Sequence, residues 1–94
     1  MHSAIAMTNK ERRHLARIAD YGCIICQRPC EIHHIRHGMG MAQKNNHYNA
    51  IGLCPEHHRI GNYGVAIHAG IKEFEKNFGT ELELLERTRK ILGI

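Results

Sequence analysis

Apolar and polar positions alternate in different rhythms along the chain. Thr8 with Glu11 three residues on has the form of a capping box, and Leu15, Ile18 and Ala19 come after it at helical spacing. A helix over roughly 9–20 is expected, stopped by Gly22, with Arg12, Arg13 and Arg17 along its solvent side. Glu31 to Ile35 reads as a short strand, and residues 36–47 (RHGMGMAQKNNH) as an aperiodic Gly- and Asn-rich loop. Ala50 to Leu53 is a second apolar strand, and Cys54-Pro55 ends it and opens a helix with proline in its first turn. Gly61, Gly64 and Gly70 break up the next stretch of chain. Ile71, Phe74 and Phe78 then predict an amphipathic helix closed by Gly79. Thr80 with Glu83 is a second capping box, and Leu82, Leu85 and Leu92 are expected as the inner stripe of a last helix.

The 94 residues lack Trp and carry five large aromatics, so the apolar core is thin and calls for a staple, disulfide or metal. No repeat or Pro/Ser linker divides residues 1–94, which read as one domain. The core motif spans about 21–70, and the C-terminal helices 70–92. No apolar run approaches the ~20 residues of a membrane span, and Met1 to Met7 lacks the form of a signal peptide. A soluble, cytoplasmic protein is expected. In a reducing cytoplasm, nine His and four Cys favour metal over disulfide. Residues 1–60 hold eight Lys/Arg against four Asp/Glu, and residues 61–94 five against five. The excess positive charge thus sits with the metal-type residues, which suits a polyanionic partner.

Cys23-x2-Cys26 and Cys54-x2-His57 are two knuckles of soft ligands able to close a tetrahedron around a structural zinc. A redox CxxC would need a βαβ setting that the pattern does not show. Cys30 is left over, either a small buried residue or a substitute ligand. A closed four-ligand site leaves His33, His34, His58 and His68 without a role. A catalytic metal site keeps three protein ligands and an open position, and a neutral imidazole beside it can act as general base. The doublets His33-His34 and His57-His58 would each give one ligand to that site.

His-His on a strand, Asn49 before the second strand, then Leu53-Cys-Pro-Glu-His-His resembles the ββα-metal, or HNH, nucleases with an associated zinc knuckle. The longer string, from Tyr21-Gly-Cys-Ile-Ile-Cys and Ile32-His-His-Ile-Arg-His-Gly to Tyr63-Gly-Val-Ala-Ile-His-Ala-Gly and Phe78-Gly-Thr-Glu, is similar to the phage recombination-enhancement (Ref-type, RecA-dependent) nucleases over about residues 21–86. The resemblance implies an α+β fold: a small zinc-stapled ββα-metal domain with flanking N- and C-terminal helices. It implies His34 as general base, His33 and His58 as ligands of a catalytic divalent metal (Mg²⁺, Mn²⁺ or Zn²⁺), and Asn49 as the brace of hairpin and loop. Cys23, Cys26, Cys54 and His57 would hold the structural Zn²⁺. Many relatives have a further His where this chain has Asn62, and His68 is the replacement expected to complete the metal set. Adjacent strand residues point to opposite faces, so an exchange of roles between His33 and His34 stays open.

Arg36, Lys44 and Arg59 flank the expected pocket as candidate DNA-phosphate contacts. The reading is a metal-dependent DNA endonuclease with little sequence specificity, single-stranded or duplex DNA as substrate, a RecA filament as possible partner, and no membrane association. The alternative is a non-catalytic zinc-knuckle nucleic-acid-binding module, which explains the zinc set and the charge but leaves the His doublets idle. Metal storage or a redox relay explains the Cys and His but neither Asn49 nor the basic half.

Overall fold

A computed structural model describes residues 7–35 and 46–94 of the chain. Its elements are α1 (Asn9–Tyr21), β1 (Glu31–His34), β2 (Ala50–Leu53), a π-helical turn (Glu56–Ile60), a 3₁₀ turn (Ile67–Ala69), α2 (Ile71–Phe78) and α3 (Glu81–Leu92). The class is a small α+β domain built on one two-stranded sheet. The expected loop positions Arg36 and Lys44 lie outside the described residues.

Both capping boxes form. The Glu11 amide donates to Thr8 Oγ1 at 3.1 Å and the Thr8 amide to Glu11 Oε1 at 2.9 Å, and Thr80 and Glu83 repeat the exchange at 3.1 and 2.8 Å. Each box satisfies two amide donors that a helix N-terminus otherwise leaves without partners. The helix faces differ from the apolar count. In α1 the buried residues are His14 and Ile18, while Ala19 is exposed. In α3 the expected stripe of Leu82, Leu85 and Leu92 is corrected to Glu81, Leu84, Leu85 and Thr88, with Leu82 46% exposed. Positions 81, 84, 85 and 88 share one side of a 3.6-residue helix. A buried carboxylate and a buried hydroxyl, which hydropathy counts as surface, complete that side. Thr88 remains satisfied by donating to the Leu84 carbonyl at 2.9 Å.

The strands pair antiparallel, with Glu31 opposite Leu53, Ile32 opposite Gly52, His33 opposite Ile51 and His34 opposite Ala50. β1 ends one residue before the expected Ile35, which is fully buried and donates its amide to the Asn49 carbonyl at 2.9 Å. α1 packs on both strands and α3 on β2. A side chain at Gly52 would meet Cys30 Sγ and the Gly22 carbonyl, each at 2.7 Å, so only glycine lets the end of α1 close on the hairpin. Ile18, Ile35, Ile51, Leu53, Phe74 and Leu84 form the core, with Cys23 and Cys54 buried at its edge.

After Pro55 the expected helix is a single wide turn. The Gly61 amide reaches back five residues to the Glu56 carbonyl at 3.0 Å. A Cβ at Gly61 would stand 2.3 Å from that oxygen, so the closure needs glycine. π-turns are rare and concentrate at functional sites. This one carries His57 and His58.

Candidate metal centres

Two clusters of ligating side chains lie side by side, and the adjacent residues His57 and His58 belong to different ones. The first joins Cys23, Cys26, Cys54 and His57. The tight knuckle at Cys23 is closed by the Gln27 amide donating to the Cys23 carbonyl at 2.7 Å. The Ile24 amide then hooks the knuckle to β2 through the Gly52 carbonyl at 2.9 Å. Cys54 ends β2, and the π-turn swings His57 back over the thiols.

Cys26 Sγ lies 3.7 Å from Cys54 Sγ, and His57 Nδ1 lies 3.7, 3.7 and 3.2 Å from Cys23, Cys26 and Cys54 Sγ. Tetrahedral zinc with bonds of about 2.3 Å to sulfur and about 2.0 Å to nitrogen sets S···S near 3.8 Å and S···N near 3.5 Å. The donor set therefore fits a zinc ion in type, number and spacing. Burial raises the Cys26 thiol, but hydrogen bonds from the Arg28 backbone and guanidinium and from the neighbouring thiols outweigh it and hold it down at about 7. Burial raises Cys54 and, with Arg28 nearby, lowers His57, which favours the neutral imidazole that a metal requires. The His57 ring packs edge-on against Phe78 at 5.1 Å, so α2 backs the cluster. Cys30 stands apart from this set, its Sγ 3.9 Å from the Ile18 carbonyl.

The second cluster joins His33, His58 and His68, each offering a ring nitrogen, all within 4.8 Å of one another. β1 supplies His33, the π-turn His58 and the 3₁₀ turn His68, whose neighbour Ile67 is buried in the core. His33 Nδ1 and His58 Nε2 are 3.2 Å apart, close to the roughly 3.3 Å between two nitrogens on a tetrahedral metal. The remaining ring nitrogens of both residues meet carboxylates. Glu81 Oε2 is 2.6 Å from His33 Nε2, and Glu31 Oε1 is 2.7 Å from His58 Nδ1. A histidine ligand held by a carboxylate on its far nitrogen is the usual support of a metal site. Burial, then the neighbouring His58 and His33, lowers His68, again favouring the neutral ring. These donors suit a divalent cation with an open coordination side.

Ile32, His33, His34, His58, His68 and Glu81 line an open depression of about 400 Å³. His33 and His34 reach it despite strand alternation, though their partners differ: His34 Nε2 lies 2.9 Å from His47 Nδ1. Asn49 is buried at the start of β2. Its amide donates to the Asn46 carbonyl at 3.0 Å, and its side-chain oxygen accepts from Arg89 Nη2 at 3.1 Å. Arg59, expected at phosphate, has Nε and Nη2 engaged by Glu31 at 2.6–3.2 Å, although its side chain is 57% exposed. Arg59, then His58, pulls the Glu31 carboxyl down to about 2.

Glu31, His47, Glu81 and Arg89 join the site without having been singled out by the sequence pattern. Glu31 had a signal, standing two residues before His33 and hence on the same side of the strand. Glu81 had none, being one acidic residue among several near a helix start.

No helix among the described residues is long and apolar enough to cross a membrane. Comparison with curated proteins and with solved structures gives no match. The family model described as "Recombination enhancement, RecA-dependent nuclease" matches residues 7–93, spanning both clusters and α1, α2 and α3. The chain thus belongs to the recombination-enhancement, RecA-dependent nuclease family.

Proposed function

We propose that the protein is a metal-dependent DNA endonuclease of HNH type that cuts the phosphodiester backbone in bacterial or phage recombination, alongside a RecA filament. The observation that carries this reading is the pair of clusters sharing one turn: a four-ligand Cys/His set beside a three-histidine set that opens on a polar depression. Cys23, Cys26, Cys54 and His57 hold a structural zinc that fixes the π-turn. His33, His58 and His68 hold the catalytic cation, which when bound supplies Lewis-acid stabilisation of charge on the phosphate and the leaving oxygen.

The chain's own residues do the rest. His34 is the general base. With His47 Nδ1 2.9 Å from its Nε2, its imidazole takes the proton from a water in line with the P–O3′ bond. The water oxygen bonds to phosphorus, the P–O3′ bond breaks, and the 3′ oxygen leaves and is protonated from solvent. Asn49 ties the start of β2 to the turn at Asn46 and to α3, which keeps the hairpin end carrying His34 in place. Arg59 steadies Glu31 and through it His58, and its exposed edge is available to a phosphate. Arg36 and Lys44 are proposed as further phosphate contacts. With contacts of this kind, binding is backbone-driven and little dependent on sequence.

The test compares wild type with His34→Ala in plasmid and single-strand cleavage, with Mg²⁺, Mn²⁺ or Zn²⁺, with and without RecA and ATP. Both proteins are first checked for zinc content and fold. Loss of a general base costs about 10²–10⁴-fold, so the variant should hold its metals and cut at least a hundredfold more slowly. If wild type cuts under no condition, the non-catalytic zinc-knuckle binding module is the better account.

A further inference from the structure

A carboxylate buried in a thin apolar core is costly unless it is paired. Glu81 is only 4% exposed. It occupies the first helical position of α3, where a helix accepts almost any residue and where Glu83 already closes the capping box with Thr80. Helix formation therefore does not explain why this position turns a carboxylate inward.

Its contact does. Glu81 Oε2 lies 2.6 Å from His33 Nε2 across 48 residues of sequence, with both side chains largely shielded from water. A carboxylate acceptor is served only by a ring N–H. In the neutral ring a proton on Nε2 puts the lone pair of His33 on Nδ1, the atom 3.2 Å from His58 Nε2. The first turn of α3 is also firmly held: Leu84 and Leu85 are buried in the core, and Arg89 two turns on reaches buried Asn49 at 3.1 Å.

We infer that Glu81 is a positioning residue of the three-histidine centre, fixing the tautomer and ring orientation of His33 so that its Nδ1 faces the cation, and that α3 is thereby part of the active centre. The inference rests on the reading of His33, His58 and His68 as a metal site.

Two measurements test it on protein holding its structural zinc. Long-range ¹H–¹⁵N spectra of wild type, recorded without further metal and at a pH high enough for the His33 ring to be neutral, should show its single proton on Nε2. A neutral ring with its proton on Nδ1 would overturn the assignment without any variant. Chelator-competition titration with Zn²⁺ then reads the second equivalent in wild type, Glu81→Gln and His58→Ala. Glu81→Gln should weaken that equivalent by about 10–100-fold while leaving the first equivalent and the thermal midpoint unchanged. If His58→Ala loses the second equivalent while Glu81→Gln binds as tightly as wild type, Glu81 has no positioning role and the metal site stands. If wild type takes up no second equivalent, or His58→Ala binds it undiminished, the metal-site reading fails and the inference falls with it.

Discussion

The two clusters differ more than their shared turn suggests. Around Cys23, Cys26, Cys54 and His57 the four donors come from two knuckles and already stand at the edge lengths of a tetrahedron, leaving no side open. Around His33, His58 and His68 three imidazole donors come from three separate elements, carboxylates brace two of them from behind, and a depression of about 400 Å³ lies in front. The first arrangement suits a metal that folds the chain. The second suits a metal that exchanges its ligands with substrate. A five-residue π-turn hands one histidine to each, so the position of either cluster constrains the other.

That contrast is most sharply broken by substituting neighbours. His57→Ala removes a ligand from the folding metal, whose binding is worth about 10–16 kcal/mol in comparable small zinc domains. It should abolish cooperative melting and lower helical circular dichroism. His58→Ala, one residue on, should keep the melting transition and the tightly held zinc and lose only the exchangeable metal. Equal effects on melting would mean that the two clusters are a single structural unit.

An intermediate effect is expected at Arg89. Arg89→Ala leaves buried Asn49 without its guanidinium donor, at a cost of about 1–3 kcal/mol. Chemical denaturation should show a lower midpoint with an unchanged slope, and zinc content should stay the same. The smallest effect is at the cap: Thr80→Ala loses one side of the box above Glu81 and should cost about 0.5–2 kcal/mol. If Thr80→Ala also weakens the second metal, the start of α3 is coupled to His33 through Glu81.

The same contrast explains which features are legible along the chain. The knuckles and both capping boxes are local: Cys-x2-Cys, Cys-x2-His and Thr-x2-Glu place their groups through a few bonds of backbone, and Thr8 and Thr80 cap where the pattern puts them. Long-range polar contacts leave no such trace. Glu81 meets His33 across 48 residues and Arg89 meets Asn49 across 40, and in both cases the buried partner belongs to a type normally counted as surface. That is also why the inner face of α3 passes through Glu81 and Thr88 rather than Leu82. The π-turn is equally hidden, since Pro55 opens an α-helix and a wide turn alike, and only the approach of Gly61 to the Glu56 carbonyl distinguishes them. The alternation of His33 and His34 is a sound expectation of strand geometry. It emerges as different partners, Glu81 and His58 for one and His47 for the other, around one depression.

The most direct test of the central claim, one closed and one open metal centre on the same chain, is a metal count under graded chelation. Protein loaded with excess Zn²⁺ is dialysed against a weak and then a strong chelator, with metal content and helicity followed together. The account predicts two zinc ions per chain after gel filtration. The first should leave to the weak chelator with no change in helicity, and the second only to the strong one, together with the fold. A single ion per chain, or two that leave together as the fold collapses, would contradict it.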